Sequence, residues 1–217
     1  FNNNNLFQKA LKDAFSDIVN RDIGKFKTAD LMSSFCDRIL KGREKLSDTE
    51  ADFLLDQTVQ IFTYLNDKDV FAEIYRNQLS KRLLSQKSVS DEMEKTMIGK
   101  LKMKCGTQFT AKIEGMVSDL NLGKETGSKF EEVFKGKRAE LGMPTLAFSV
   151  QQLTSGYWPA HTIYNVNLPP LMQKAQKAYE DFFKKTFDGR RLQWCHVLGN
   201  ATVKGTFQEG KKSFDFK

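Results

Sequence analysis

Apolar residues recur at three- and four-residue spacing through the first two-thirds of the chain, the period of helices that each bury one face. Phe7, Leu11, Ala14, Phe15, Ile18 and Val19 form the first stripe, with asparagines ahead of it to serve as N-cap. Leu31, Phe35, Ile39 and Leu40 form a second, ending at Gly42, and Leu54, Thr58, Ile61, Phe62 and Leu65 a third, introduced by the capping box Ser47-Asp48-Thr49-Glu50. A fourth helix, over 68–86, places Phe71, Ile74, Tyr75, Leu79 and Leu83 on one broad face, and Arg82 near the middle of it. Met93, Met97, Ile98, Leu101 and Cys105 mark a fifth helix closed by Gly106. Phe109, Ile113, Met116, Val117 and Leu120 mark a sixth closed near Gly123.

Residues 123–144 are polar and bear glycine, with a short helical possibility near Phe130. Beyond them the period becomes two: Leu146, Phe148 and Val150 alternate with Ala147, Ser149 and Gln151, as in a half-buried strand. Pro169 and Pro170 open a helix whose buried face is Leu171, Ala175, Ala178, Tyr179, Phe182 and Phe183, and Asp188-Gly189 ends it. Strand-like runs follow at 191–197, 201–207 and 213–217, joined by turns at Leu198-Gly199-Asn200 and Glu209-Gly210. The expected fold class is α+β, mainly α: a helical bundle (1–125), a connecting segment (126–144) and a small mixed α/β sheet domain (145–217). That sheet stops in mid-strand at Lys217, and the chain opens abruptly at Phe1, so an excised piece of a longer protein is expected.

Composition narrows the function classes. Lys and Arg number 34 against 27 Asp and Glu, a formal charge of +7, which permits an acidic partner but is mixed in sign along the chain. Three separated cysteines, Cys36, Cys105 and Cys195, give neither a disulfide framework nor a zinc motif, and a reducing compartment, cytoplasmic or nuclear, is expected. No apolar run approaches the roughly 18–20 residues of a membrane span.

The chemistry of catalysis is hard to find. His161 and His196 stand without companion motifs, and no nucleophile elbow, phosphate-binding loop or dinucleotide fingerprint occurs. Cys105 ends an apolar stripe and reads as a small hydrophobe. No catalytic residue, metal site or cofactor is expected.

The basic-aromatic stretch from Tyr75 to Leu84 raises a nucleic-acid reading through Arg76, Lys81 and Arg82. A face that buries aromatics cannot also be an open phosphate-binding ridge, so Arg82 is expected to meet a carboxylate or carbonyls inside the packed face. Tyr157 and Trp158, ahead of Pro159, are expected to pack a loop onto the core.

Six stretches, in order, carry a family resemblance: NNNNLFQKALKDAF, KLSD, DKDVFAEIYRNQLSKRLL, SVSDEMEKTMIGKLKMKCGTQFTAKIEGMVSDL, SGYWPAHTIYNVNLPP and GRRLQWCHVLGNATVKGTF. Together they resemble the cullin-homology region of cullins, over essentially the whole chain. The resemblance implies a C-terminal-domain fragment of a non-catalytic scaffold of multisubunit ubiquitin ligases, acting in ubiquitin-dependent protein catabolism. It implies a RING-box protein as direct partner, whose N-terminal strand joins the sheet; a ubiquitin-conjugating enzyme is engaged indirectly, and exchange or regulatory factors are further partners. Membrane is not among the partners.

By position, the partner-binding residues it implies are Leu146, Phe148, Val150, Leu192, Trp194, Val197, Ala201, Val203 and Phe207, with Trp194 as an apolar anchor. The basic cluster Lys184, Lys185, Arg190 and Arg191 either complements a helix end or steers acidic partners. One departure is Lys81, where many relatives carry arginine. Adaptor-binding repeats and the winged-helix segment that bears the family's modified lysine are expected to lie outside this chain. The reading from another class is a basic helical module that binds nucleic acid.

Overall fold

The computed structural model describes residues 4–21, 23–140, 142, 146–207 and 212–216. Among these described residues seven α-helices precede a short hairpin: α1 (Asn5–Val19), α2 (Thr28–Leu40), α3 (Asp48–Phe62), α4 (Lys68–Leu84), α5 (Asp91–Cys105), α6 (Thr107–Lys137) and α7 (Pro170–Thr186), then β1 (Val203–Phe207) and β2 (Lys212–Phe216). Two compact units divide the chain. The first comprises 1–122 with 152–159, the second 123–151 with 160–217.

Local chemistry sets the helix ends. The Asn4 side chain accepts from the Leu6 amide at 3.0 Å and caps α1. Ser47 and Glu50 form the reciprocal capping box of α3, the Ser47 amide donating to Glu50 Oε2 at 2.9 Å. This hydrogen bonding holds the exposed Glu50 carboxyl below its ordinary pKa. Gly42, after α2, adopts φ +63°, a left-handed conformation that glycine alone takes freely. Pro170 occupies the first turn of α7, where its missing N–H costs nothing.

In the first unit α2 packs on α3 and α4, and α3 on α5. The core they share includes Cys36, Leu40, Leu55, Phe62, Phe71, Tyr75, Leu79, Leu101 and Met116. Phe62 meets Phe71 at 4.7 Å and Phe109 at 5.7 Å between ring centroids. The α1 stripe behaves differently from its pattern: Phe7, Leu11, Phe15 and Ile18 stay exposed and Val19 is its buried residue. In α2 and α3 the expected faces are buried in large part, with Ile39, Leu40, Thr58, Phe62 and, just past α3, Leu65 inside, but not at every position. Met32, Ser33 and Cys36 turn inward while Leu31 and Phe35 stay partly exposed, and Ala51, Leu55 and Val59 are buried while Ile61 is not.

Three expectations are corrected. The sixth helix does not close at Gly123 but continues to Lys137, because Phe130 and Phe134 supply a new apolar stripe beyond the glycine. The 146–150 segment keeps the expected alternation, with Leu146, Phe148 and Val150 half-buried and Ala147 and Ser149 exposed, yet it enters no ladder among the described residues. The run from Leu192 to Val197 is likewise no strand: it ends in a 3-10 helix, His196–Leu198, so the expected three-strand meander is a two-stranded hairpin. Packing of Leu192 and Trp194 against aromatic rings replaces strand pairing there. The turn expected at Glu209-Gly210 lies outside the described residues.

Candidate partner-docking surface

The expected partner-binding residues fall into two sets, both in the second unit. Leu146, Phe148, Val150, Leu192 and Trp194 pack inward against a cluster made by α6 and α7: Phe130, Phe134, Ala175, Tyr179 and Phe183. Phe130 is its hub, 5.1 Å from Phe134, 4.9 Å edge-on from Tyr179 and 6.1 Å edge-on from Phe148. Such edge-to-face contacts add specific geometry to apolar burial. Trp194 lies 5.8 Å from the Tyr179 ring and donates its indole N–H to Glu180 Oε1 at 2.9 Å. This half-buried ring is thus held by a carboxylate one residue beyond Tyr179.

Val197, Ala201, Val203 and Phe207 are exposed. In the antiparallel hairpin Val203 pairs with Phe216, Gly205 with Phe214 and Phe207 with Lys212. Directly opposed residues share a face, so Val203, Phe207, Phe214 and Phe216 lie together on one face with Gly205 and, at its end, Lys212, while Lys204, Thr206, Ser213 and Asp215 form the other. Those four apolar residues are 49–57% exposed. Gly205 sits among the rings: a Cβ there would come within 2.7 Å of Phe216 and 3.0 Å of Phe207. Among the described residues each strand has one neighbour in this two-stranded sheet, so each offers an outer edge of backbone donors and acceptors.

The structural residues lie in the first unit. Arg82 is fully buried on α4 and forks onto Glu94 of α5, Nε to Oε1 at 2.6 Å and Nη2 to Oε2 at 3.0 Å. Its Nη1 donates to Asp37 of α2 at 2.7 Å, and its guanidinium lies 5.4 Å from the Tyr75 ring centroid. One side chain thus ties three helices. Burial disfavours the charged guanidinium, but the hydrogen bonds to Glu94 and Asp37 outweigh it and raise its pKa. Burial also works against the Asp37 carboxylate, and the hydrogen bonds from Lys41 and Arg82 prevail, holding its pKa below the ordinary range. Cys36, beside this cluster, has its thiol pushed up to about 12, chiefly by burial, and is no nucleophile at neutral pH.

Trp158 is buried and donates its indole N–H to Asp119 Oδ2 at 2.8 Å, and Asp119 also accepts from the Thr154 amide and hydroxyl at 2.6 and 2.9 Å. Tyr157 is partly exposed, its ring over Gly115, where a Cβ would lie 2.5 Å from ring carbons. In the GYWP turn, Trp158 is thus packed inside the first unit and Tyr157 lies at its surface. The partners Asp37, Glu94, Asp119 and Glu180 were not singled out from sequence. A signal existed for Glu94: Met97, Ile98 and Leu101 follow at i+3, i+4 and i+7, which places it on the apolar face of α5.

Lys184 and Lys185 fill the last turn of α7, and the Arg190 guanidinium rests 5.2 Å from the Phe187 ring centroid. Among the described residues no helix is long and apolar enough to cross a membrane, and no group of three or more metal-binding side chains forms.

The first unit is multi-helical, and the second combines an aromatic core with a hairpin whose apolar side chains are exposed. Comparison with known proteins gives the chain a family. Residues 1–127 match the cullin alpha solenoid domain and residues 153–217 the cullin alpha+beta domain. Cullin-1 of Oryza sativa subsp. japonica is 41% identical over 210 residues, 96% of this chain and 28% of that protein. Cullin-4A of Mus musculus is 37% identical over 215 residues, covering 99% and 28%, and Cullin-2 of Arabidopsis thaliana 35% identical over 213 residues, covering 96% and 28%. The chain belongs to the cullin family and spans 28% of the length of these relatives.

Proposed function

We propose that this chain serves as the part of a cullin-RING ubiquitin ligase scaffold that docks a RING-box protein, and so positions a ubiquitin-charged conjugating enzyme for transfer to substrate. The observation that carries the reading is the hairpin: two short strands with open edges and an apolar face left in solvent. An isolated hairpin is marginal in water, and an added strand satisfies its edge while side chains at alternate positions select the partner. Val203 and Phe207 of β1 then contact the partner directly. Leu146, Phe148, Val150, Leu192 and Trp194 act from beneath, keeping the neighbouring backbone on a rigid aromatic bed. Val197 and Ala201 flank the edge.

The contribution to ubiquitin transfer is proximity, holding reactants within reach while other subunits supply the reactive groups. The nucleic-acid reading loses its central cation, since Arg82 is fully enclosed by carboxylates.

Co-purification with a RING-box protein tests the proposal. Retention in about 1 M salt, lost when the partner's N-terminal strand is deleted, is the expected result, because strand pairing is screened far less than phosphate-type contacts. Retention that ignores the strand deletion, or no retention, contradicts it.

A further inference from the structure

We infer that the middle of α6, residues 121–129, is a built-in weak segment at which the helix opens locally while both of its ends stay packed. The last α6 side chain in the first core is Leu120, and the first in the second core is Phe130. Between them no residue of α6 belongs to either core. Asn121, Leu122, Lys124, Glu125, Ser128 and Lys129 are exposed. Helices in proteins derive most of their stability from a packed face, and the inward positions of this stretch, buried Gly123 and half-buried Thr126 and Gly127, bring no large apolar side chain to one.

Its composition compounds the weakness. Asn121, Gly123, Thr126, Gly127 and Ser128 are all poor helix formers. Gly123 has a steric reason to be glycine, since a Cβ would lie 2.4 Å from the Gln151 side-chain nitrogen. Gly127 has none: a Cβ there would meet nothing within 4 Å. The Ser128 hydroxyl donates back to the Lys124 carbonyl at 3.1 Å, a contact that loosens and bends helices. The arms on either side are held, the first by Ile113 and Met116, the second by Phe130 and Phe134. Opening confined to the middle lets α6 bend without unpacking either core.

Residue-resolved amide hydrogen exchange on the 217-residue chain tests this. Amides of 121–129 are expected to exchange roughly tenfold or more faster than those of 113–120 and 130–134, as low-stability segments do. Gly127→Ala is expected to slow exchange about fivefold within 121–129 and leave the flanking amides unchanged. Gly136→Ala, at the end of the helix, is expected to leave 121–129 unchanged. Uniform protection along α6 overturns the inference, and so does a Gly127→Ala effect spread evenly over the whole helix. Failure of RING-box docking bears on the hairpin alone and leaves this result standing.

Discussion

Replacing Arg82 by alanine removes the central cation of the first unit. Glu94, 1% exposed, then keeps the Ser88 hydroxyl at 2.8 Å as its remaining described partner, and Asp37 keeps Lys41. Breaking a buried ion pair from one side costs about 3–5 kcal/mol, because the surviving charge stays buried without compensation. A domain holds only about 5–15 kcal/mol in total, so this is a large fraction. At about 2–4 °C per kcal/mol for a chain of this size, the melting temperature should fall by about 6–20 °C.

Cys36 supplies the assay. It is fully buried beside the cluster, so its labelling by a thiol reagent across a urea series reports opening of this unit specifically. Arg82→Lys should lose part of the same stability, since an ammonium cannot form the two-pronged contact with Glu94. Arg82→Met combined with Glu94→Leu should be at least about 2 kcal/mol more stable than the two single losses sum to, the mark of direct coupling. An Arg82→Ala chain within about 1 kcal/mol of the parent, or additive single and double variants, refutes the reasoning.

Two other outcomes follow from the same geometry. The folded-state pKa of Asp37 lies below its ordinary value, so its contribution is present above about pH 4 and is lost as pH falls through the lower folded value. Asp37→Asn should therefore lower stability at neutral pH and flatten the acid limb of a stability-pH curve; an unchanged acid limb argues against the assignment. Asp119→Ala should cost about 1–3 kcal/mol by leaving the Trp158 indole N–H unpaired. In a Trp194→Phe background, indole emission should then shift as the 152–159 turn loosens, whereas unchanged emission and an unchanged urea midpoint contradict that role.

Helical spacing made most of the first unit legible. α4 is the clearest example: Phe71, Tyr75 and Leu79 are buried, and Arg82 lies among them on carboxylates, as a cation on an apolar face requires. What spacing could not supply was the identity of those carboxylates, since Asp37 and Glu94 come from other helices. Gly123 misled because a glycine is an ordinary helix stop, and here Phe130 and Phe134 hold the helix beyond it.

The strand readings failed for a related reason. Alternation at Leu146, Phe148 and Val150 and at Leu192 and Trp194 is real, but it records which side chains reach the aromatic cluster. Whether the backbone also pairs depends on a neighbouring strand, which no single stretch encodes. Where a cross-strand partner follows within a few residues, as for Val203–Phe207 and Lys212–Phe216, the strands did form.

The most direct test of RING-box docking by strand addition is amide hydrogen exchange on β1 with and without saturating RING-box protein. The account predicts that backbone amides within Val203–Phe207 become strongly protected on binding, and that a partner lacking its N-terminal strand leaves them unprotected. Binding with no change in β1 protection contradicts it.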